Sequence, residues 1–469
     1  MYLLKTIPYL LVMMINITCC SCDKVQKEIT NKVILELSQD TVYASTGNLL
    51  SVTITVNDIN LLEKLVIKKR TSISSSVYKT ILPAEFEKNA YQFNYEMTDD
   101  DKESFRFIIE AYNLSGEISN IKGLQIYGNQ SEIKLINIVK MARVTGKSLA
   151  GEKLPNPSRT DELYDLGGAD LGIVWEMDEG HVGIFFGDSY GKNFVANTGG
   201  PNGSNWRSNV LAFSSDTNMN DGLNFTTMAL DKNGNARQIA ISAHNTSGSG
   251  DWTSIPTAAI RANGVDYLHF MNVRTWSSPK GWETNYSSLY SSKDNGKTWN
   301  RCSGVNFGSQ SIFAQICYAK ADGYVYMIGT QSGRQGNAYL ARFLEKDILD
   351  MTQYEYWNSK DGWIKNNESA ASAIFEATVG ESSLMYQKKY KRWIATYFDA
   401  DKYALMYRDA PEINGPWSQE KLLASGSTYP QLYGSYMHPL FDDEDNIYFL
   451  MSEWQAYNVF LMRASIKIQ

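Results

Sequence analysis

Short apolar runs separated by polar turns follow one another along almost the whole chain from about residue 31. Some runs alternate apolar and polar positions, others are continuously apolar, and most are rich in valine, isoleucine, tyrosine and phenylalanine. Both patterns predict β-strands. One short helix is expected, at 346–350. The pattern therefore predicts an all-β protein.

The first part of this pattern predicts an immunoglobulin-like β-sandwich over 31–128. About six short strands in about a hundred residues, separated by turn-rich segments, are typical of that fold. The segment contains no constellation of reactive side chains, so a spacer role is favoured over dedicated sugar binding. The polar residues 128–131 are the expected boundary. The expected strands are 33–37, 50–56, 64–68, 91–95, 104–111 and 124–127.

The remaining residues, 133–469, predict a five-bladed β-propeller. Ser-Lys-Asp-Asn-Gly-Lys-Thr-Trp at 292–299 matches the Asp-box of propeller-like folds. In such a hairpin the aspartate accepts backbone hydrogen bonds, the glycine adopts unusual dihedrals and the tryptophan packs between blades. Ring closure would remove exposed sheet edges and leave a central funnel. The strand groups lie at 168–230, 237–303, 312–359, 371–422 and 430–469, the last joined by a strand near 136–139.

The first 22 residues are expected to be a lipoprotein signal peptide. One lysine precedes an apolar run at 9–17 that is too short to span a membrane, and small residues and cysteines follow. Cys20 or Cys22 is the expected acylated residue, and 23–30 is the expected tether. The alternative is a plain secretory signal with unmodified cysteines.

Composition and charge narrow the class of protein. With 469 residues, 43% of them hydrophobic, the chain can bury large cores. The formal net charge of -7 and the absence of a basic run exclude nucleic acid as an expected partner. An aromatic share of 12% suits surfaces that stack on sugar rings. Cys302 and Cys317 permit one disulfide, but no metal-ligand spacing occurs, so neither metal nor cofactor is expected.

The stretch 170–191 predicts a β-hairpin with two carboxyl groups at one end. If Glu176 pairs with His181, Asp170 lies beside Asp188 and the residue before it. A register slipped by one residue sets the two aspartates directly opposite each other. Because cross-strand neighbours have Cβ atoms about 5 Å apart, both carboxyl groups would reach one substrate bond in either register.

Paired carboxyl groups are what glycoside hydrolysis requires. One protonates the departing oxygen while the other activates water or attacks the anomeric carbon, so their pKa values must differ. Asp188 follows the apolar run 184–186, which favours Asp188 as the acid and Asp170 as the base, with the reverse assignment left open. We expect inversion, which needs a carboxyl separation of about 6.5–9.5 Å. The alternative is that both aspartates only cap the hairpin by accepting backbone hydrogen bonds.

Other polar residues are candidates for holding substrate hydroxyls. Each has a structural alternative, which is an ion pair for the arginines and a satisfied buried group for the histidine. Glu376 and Glu381 are possible third carboxylates, ranked below the aspartate pair. The sequence contains no Gly-x-Ser-x-Gly and no Cys–His arrangement, which argues against an esterase or a protease. The candidates are Arg207, Asn209, Arg274 and His438.

Seven short motifs of the second part of the chain occur together. They are GGADLGIVW at 167–175, FFGDSYG at 185–191, NWRSN at 205–209, IPT at 255–257, MNVRTW at 271–276, KRW at 391–393 and YGSYMHP at 433–439. With these motifs the stretch 146–469 resembles the bacterial propeller family called domain of unknown function 4185, which includes the endo-D-arabinanases of glycoside hydrolase family 183. Ala169 stands where the family often has threonine, and Ser189-Tyr190 replace Thr-Phe, which leaves the substrate open.

The resemblance implies hydrolysis of D-arabinofuranosidic linkages inside a polysaccharide, with Asp170 and Asp188 as the catalytic pair. Tyr433, which opens the last matching motif, joins the substrate-binding candidates. We expect an exported monomer, anchored by lipid in the outer membrane or at the surface of a Gram-negative bacterium, with the polysaccharide as its partner. The alternatives are a non-catalytic glycan-binding lipoprotein and a sialidase-like hydrolase, although the arginine cluster that binds a sialic acid carboxylate is not evident.

Overall fold

The computed structural model describes residues 32–468 except 45, 46, 48, 72, 73, 102, 103, 129–131, 179 and 280. The described residues lie almost entirely in β-strands, turns and loops, so the predicted all-β class is confirmed. The chain divides into two compact units, Met1–Gln130 and Ser131–Gln469. The expected signal peptide, with Cys20 and Cys22, and the tether lie outside the described residues.

The first unit contains two sheets around one apolar core. One sheet has the strand order β1-β3-β6 and the other β2-β8-β7-β4-β5, in which β2 and β8 run parallel. In β3, buried residues alternate with more exposed ones, as expected of a strand with one face on the core. The strands are β1 (Leu35–Leu37), β2 (Thr41–Tyr43), β3 (Leu49–Val56), β4 (Leu62–Arg70), β5 (Ser75–Ile81), β6 (Ala90–Glu96), β7 (Phe105–Asn113) and β8 (Ile118–Tyr127).

All six strands expected in this unit are present, and two more accompany them. β2 has only three residues, too few to show a period. β5 is exposed along almost its whole length, so its sequence carries no alternation of buried and exposed positions. The sequence pattern therefore missed one strand that is too short and one that is too exposed to show a period.

The second unit begins with a long strand and one short helix. The strand is β9 (Ile133–Arg143), and the helix is α1 (Thr160–Tyr164). Next come β10 (Gly168–Asp178), β11 (His181–Tyr190), β12 (Val210–Ser214), β13 (Thr227–Met228), β14 (Thr253–Ala262), β15 (Val265–Ser278), β16 (Gly281–Ser292), β17 (Asn300–Gly308), β18 (Gln315–Ala321), β19 (Tyr324–Thr330) and β20 (Gly336–Leu344).

The remaining strands are β21 (Glu355–Asn358), β22 (Gly362–Lys365), β23 (Ala373–Val379), β24 (Ser382–Gln387), β25 (Arg392–Asp399), β26 (Ala404–Ala410), β27 (Lys421–Ser425), β28 (Leu432–Met437), β29 (Asn446–Glu453) and β30 (Asn458–Ile468). Short 3-10 turns join several of them, and the helix expected at 346–350 is one such turn, Glu345–Asp347. Over the described ranges, no helix has both the length and the apolar character needed to cross a membrane.

The strands of the second unit form five consecutive antiparallel sheets. The first four begin at β10, β14, β18 and β24, and the fifth begins at β28. Each sheet covers one of the strand groups expected from the sequence. The expected grouping was wrong for β23, which pairs with β20 of the third sheet instead of belonging to the fourth. The fifth sheet is completed by β9, which pairs with β30 although more than three hundred residues separate them in the chain.

The first strands of the five sheets lie side by side in a ring. β10 contacts β14, β14 contacts β18, β18 contacts β24, β24 contacts β28, and β28 contacts β10. A shared apolar core runs through the first, second, fourth and fifth of these sheets and includes Ile173, Ile255, Met385 and Leu432. Residues at either end of the first strands therefore converge on the middle of the unit.

The Asp-box joins the second sheet to the first. Asp294 accepts hydrogen bonds from Ser292 Oγ at 2.8 Å and from the Thr298 backbone N–H at 2.8 Å. The Trp299 ring packs against Phe185 of β11 at a centroid distance of 5.4 Å. The box is thus structural, as its sequence predicted, because its polar groups are satisfied locally and its tryptophan packs between sheets.

Candidate functional site

The β10–β11 hairpin brings the two predicted aspartates together at an irregular point in its register. Glu176 pairs with Val182, which is the register slipped by one from a Glu176–His181 pair. Ala169 pairs with Ser189 and Leu171 with Phe186, so Asp170 lies opposite the two residues Gly187 and Asp188. This two-against-one arrangement is a β-bulge, a feature that often redirects a side chain beside a site.

The backbone after Asp170 adopts a conformation that bulky residues rarely adopt. Leu171 has φ of 66° and Gly172 has φ of 102°. Ser452 of the fifth sheet accepts a hydrogen bond from the Leu171 N–H at 2.7 Å and holds this conformation. Backbone strain of this kind concentrates at functional sites, because the surrounding structure must stabilise it.

Gly187 provides the space that the Asp170 carboxyl group occupies. A Cβ atom added at Gly187 would stand 2.3 Å from Asp170 Oδ1 and 3.0 Å from Leu171 Cδ1. Because real Cβ atoms do not approach oxygen so closely, a side chain at this position would displace the carboxyl group. The glycine therefore allows Asp170 to lie against the strand that carries Asp188.

Each aspartate has its own hydrogen-bond donors. Asp188, which is 8% exposed, accepts at Oδ1 from Thr253 Oγ1 at 2.5 Å and from Trp206 Nε1 at 2.8 Å. Asp170 accepts at Oδ2 from the Tyr433 hydroxyl at 2.8 Å, and its buried Oδ1 has no partner in the described part of the chain. Asp188 is thus the better stabilised carboxylate of the two.

The environment moves the pKa values of both carboxyl groups towards neutrality. Burial raises the pKa of Asp170 to about 8, and repulsion from Asp188 and Glu381 adds to the effect, against the donation from Tyr433. Burial raises the pKa of Asp188 to about 7, although its two donors oppose the increase. Both shifts favour the retention of a proton by the pair near neutral pH, which acid–base catalysis by two carboxyl groups needs.

The pair faces a cavity of about 680 Å³ that receives residues from all five sheets. Its wall includes five of the chain's 11 tryptophans, and Trp276 and Trp454 are 39% and 43% exposed. Aromatic faces of this kind stack on the apolar faces of sugar rings. The five tryptophans are Trp206, Trp252, Trp276, Trp282 and Trp454.

Two of the residues that line the same cavity form an ion pair. Arg334, between β19 and β20, donates from Nη2 to Glu381 Oε1 at 2.5 Å and from Nε to Glu381 Oε2 at 3.1 Å. Its guanidinium carbon lies 4.7 Å from the centre of the Phe398 ring and 5.3 Å from that of Tyr433. Of the two possible third carboxylates, Glu381 lines the cavity and Glu376 does not.

A second cavity, of about 550 Å³, lies at the opposite ends of the first strands. It shares Thr257, Ser382 and Tyr436 with the first cavity and contains neither catalytic candidate. Its charged groups have both signs, including Lys320 and Asp442. Its carboxyl groups Glu176, Asp178 and Asp442 lie among the cations Arg261, Lys320 and Lys388.

Of the predicted substrate-binding residues, only Tyr433 lines the first cavity. Asn209 is fully buried, and its side chain donates to Ala240 O and Ser254 O and accepts from the N–H groups of Ile239 and Ala240. All its hydrogen-bonding capacity is therefore used by the backbone. The substrate-binding role expected for Asn209 is replaced by a structural one.

Arg207 also supports the backbone instead of facing the cavity. It is 6% exposed and donates to the carbonyl oxygens of Ala236 and Asp165, each at 2.8 Å. Arg274 forms an ion pair with Glu283 outside the cavity lining. Both arginines therefore have structural contacts. Arg274 forms the ion pair that was the alternative to substrate binding, and Arg207 binds backbone carbonyl groups instead of an ion-pair partner.

His438 lies at the wrong end of its strand for contact with the aspartates. It is five residues beyond Tyr433, and strands rise about 3.3 Å per residue, which places it about 16 Å along the chain direction. The side chain is fully buried, and burial lowers its pKa to about 3, so the ring is neutral. His438 therefore lies outside the lining of the first cavity, where a substrate would bind.

Four site residues escaped the sequence analysis. Thr253 begins β14 and carries no recognisable signal, and Arg334 lies in a connection without a motif. Trp206 belongs to a matching motif, where its neighbours Arg207 and Asn209 attracted attention instead. Tyr457, which lowers the pKa of Asp170 by hydrogen bonding, follows a polar turn.

The disulfide that the two remaining cysteines would permit does not form. Cys302 and Cys317 are both free and buried, in the second and third sheets. Burial raises the pKa of each thiol, which disfavours the reactive thiolate. Among the described residues, no three His, Cys, Asp or Glu side chains are grouped so that they would hold a metal ion.

Comparison with known proteins places the second unit in a family. A family model described as domain of unknown function (DUF4185) matches residues 156–463. Notoamide biosynthesis cluster protein J′ of Aspergillus versicolor is 28% identical over 314 residues, covering 62% of this chain and 82% of the relative. Notoamide biosynthesis cluster protein J of Aspergillus sp. (strain MF297-2) is 27% identical over 316 residues, covering 62% and 81%. The chain belongs to the DUF4185 family.

Proposed function

We propose that this protein is a glycoside hydrolase that cleaves D-arabinofuranosidic linkages inside a polysaccharide, in the manner of an endo-D-arabinanase. The observation that carries the proposal is the meeting of Asp170 and Asp188 at one bulge, facing an aromatic cavity. Their raised pKa values support acid–base chemistry near neutral pH. The choice of a D-arabinan rests on the family resemblance.

In this proposal Asp170 is the acid and Asp188 the base, the reverse of the assignment favoured by the sequence. Asp188 accepts from Thr253 and Trp206, and the indole N–H is a donor only, so this oxygen carries no proton. Asp170 has the higher pKa and faces the repulsion of its neighbours. Asp170 would protonate the departing glycosidic oxygen, and Asp188 would take a proton from the attacking water.

The aromatic wall supports a sugar substrate. Exposed tryptophans lie on both sides of the hairpin, with Trp276 in β15 of the second sheet and Trp454 directly after β29 of the fifth. A chain bound across the aspartates would stack on both. Such binding on both sides of the scissile bond suits cleavage inside a polymer.

We also infer the finer architecture. Five sheets whose first strands form a closed ring of contacts, with β9 completing the last sheet, support a five-bladed propeller. Two sheets around one core support an immunoglobulin-like sandwich for the first unit. A lipid anchor at Cys20 or Cys22 would then hold the enzyme in the outer membrane, with the sandwich as a spacer.

The names of the fungal relatives favour one second candidate. Both are described by a biosynthesis cluster, which suggests that the same pair of acids catalyses a proton-transfer reaction on a small molecule. The partly apolar cavity is compatible with such a substrate. A non-catalytic glycan receptor is the further alternative, and it predicts binding without products.

The test is incubation of the purified protein with D-arabinan and a panel of other polysaccharides, followed by chromatography of the products. We expect oligosaccharides from D-arabinan, and a loss of about 10²–10⁴-fold in Asp170→Asn and Asp188→Asn, with substrate binding retained. Asp216→Asn, in an exposed turn away from the cavity, is the matched control. Binding without products in the wild type would favour the receptor, and release of sialic acid would favour a sialidase.

A further inference from the structure

The Glu381–Arg334 ion pair has no role in the proposed proton transfers, yet it lies in the cavity wall beside the acid. The contact is a fork, in which two nitrogens of Arg334 donate to both carboxylate oxygens of Glu381. The pair is largely withdrawn from solvent, with 29% and 10% of the two side chains exposed. Such a geometry holds both side chains in one orientation.

Arg334 also supports the residue that contacts the acid. Its guanidinium carbon lies 5.3 Å from the centre of the Tyr433 ring, within the range of a cation–π contact. The Tyr433 hydroxyl in turn donates to Asp170 Oδ2 at 2.8 Å. A continuous path of contacts therefore leads from Glu381 through Arg334 and Tyr433 to Asp170.

Asp170 is surrounded by ionisable groups from several sheets. Of these, Asp188 and Glu381 repel its negative charge, and the arginine is the cation of the set. Within the ion pair, the positive charge of Arg334 opposes the negative charge of Glu381. The groups are Asp188 and Tyr190 on β11, Arg334 before β20, Glu381 before β24, Tyr433 and Tyr436 on β28, and Tyr457 before β30.

We propose that Glu381 and Arg334 are positioning residues that balance the charge around Asp170 and hold Tyr433 against it. The catalytic meaning of this role rests on the proposed function, because Asp170 is the acid of that reaction. The pair itself transfers no proton. Its charges adjust the pH at which Asp170 loses the proton that the reaction needs, in addition to the larger effects of burial and of Asp188.

Removing the charge of Glu381 and removing the charge of Arg334 should shift the pKa of Asp170 in opposite directions. Glu381→Gln leaves the arginine charge uncompensated, which stabilises the Asp170 carboxylate and lowers its pKa. Arg334→Met leaves the glutamate uncompensated, which raises the pKa of Asp170. Each shift is expected to be on the order of one pH unit for a unit charge in a partly desolvated wall. Arg334→Lys keeps the charge and should restore most of the wild-type value.

The experiment is a pH titration of the protein labelled with ¹³C at aspartate carboxyl carbons, followed by NMR, with the Asp170 signal assigned by its loss in Asp170→Asn. The matched control is Glu355→Gln, which breaks an Arg342–Glu355 pair in the third sheet outside both cavities. Arg342 there also lies over an aromatic ring, at 4.1 Å from that of Trp363. This control should leave the titration of Asp170 unchanged.

Opposite shifts in Glu381→Gln and Arg334→Met would support the proposal, and shifts that are absent or in one direction would overturn it. Should Arg334→Met fail to fold, as judged by thermal denaturation, Glu381→Gln and Arg334→Lys decide the question. The alkaline limb of the pH–rate profile should move with the titration. Because the titration needs no substrate, a wild type that cleaves no glycan would refute the proposed function alone.

Discussion

Substitution of Gly187 by alanine should separate activity from stability. The added Cβ would stand 2.3 Å from Asp170 Oδ1, about 1 Å closer than ordinary contact allows. The end of the Asp170 side chain can move at little cost to folding, but the carboxyl group then leaves its position beside Asp188. A displacement of about 1 Å at a reacting group costs about 10²-fold in rate.

The neighbouring Gly183 provides a matched control in the same strand. A Cβ there would stand 2.1 Å from the ring carbon Cη2 of Trp175, which is stacked on Phe185 in the core and cannot move aside. Overpacking of this kind costs about 1–3 kcal/mol of the free energy of unfolding. Gly183→Ala should therefore lower the thermal midpoint while the folded enzyme keeps its kcat.

The assay compares kcat on D-arabinan with thermal denaturation for the two variants. We expect Gly187→Ala to lose about 10²-fold in kcat with a nearly unchanged midpoint, and Gly183→Ala to show the opposite pattern. Full activity in Gly187→Ala would refute the reasoning, because the carboxyl group could not then depend on the space beside the glycine. An equal loss of kcat in both variants would show that the loss in Gly187→Ala comes from lower stability and not from the displaced carboxyl group.

Three further outcomes test other parts of the structure. Trp206→Phe removes a donor to the Asp188 carboxylate, so the pKa of Asp188 rises and the acid limb of the pH–rate profile should move to higher pH. Asp170 has a raised pKa in the folded state, so the folded protein loses stability as the pH rises from about 4 to about 8. Asp170→Asn removes this loss, so thermal denaturation should show a larger stabilisation at pH 8 than at pH 4, with a difference of up to a few kcal/mol in the free energy of unfolding. Asp409→Asn removes the fully buried carboxylate that Arg392 and Lys421 share, at 2.5 and 2.8 Å, and chemical denaturation should show a loss of about 3–5 kcal/mol. An unchanged denaturation midpoint in Asp409→Asn would contradict the importance of this buried pair.

The hairpin shows how far local pattern predicts a site. Its two apolar runs and polar turn placed Asp170 and Asp188 at one end, and the structure has them there. The pattern does not choose between the two registers, because both runs are apolar on both faces and a slip of one residue leaves a similar pattern. The bulge that decides it depends on Ser452, which belongs to the fifth sheet and binds the Leu171 backbone.

Roles that depend on distant partners were not predictable in the same way. Asn209 and Arg207 are polar residues in a matching motif, and nothing local reveals that backbone carbonyls and amides satisfy them. Their position beside the hairpin therefore suggested substrate contact. In the structure the residue of that motif that contacts the site is Trp206, whose indole N–H donates to Asp188.

The sequence by itself determined the all-β class, most of the strands, the Asp-box and the meeting of two aspartates in one hairpin, because alternation and turn residues act over a few positions. Tertiary structure alone decided that Arg334 and Glu381, 47 residues apart, meet beside Asp170, and that Thr253 donates to Asp188 across 65 residues. The physical reason is that contacts between sheets depend on how the first strands pack around one centre. No periodicity along the chain records that packing.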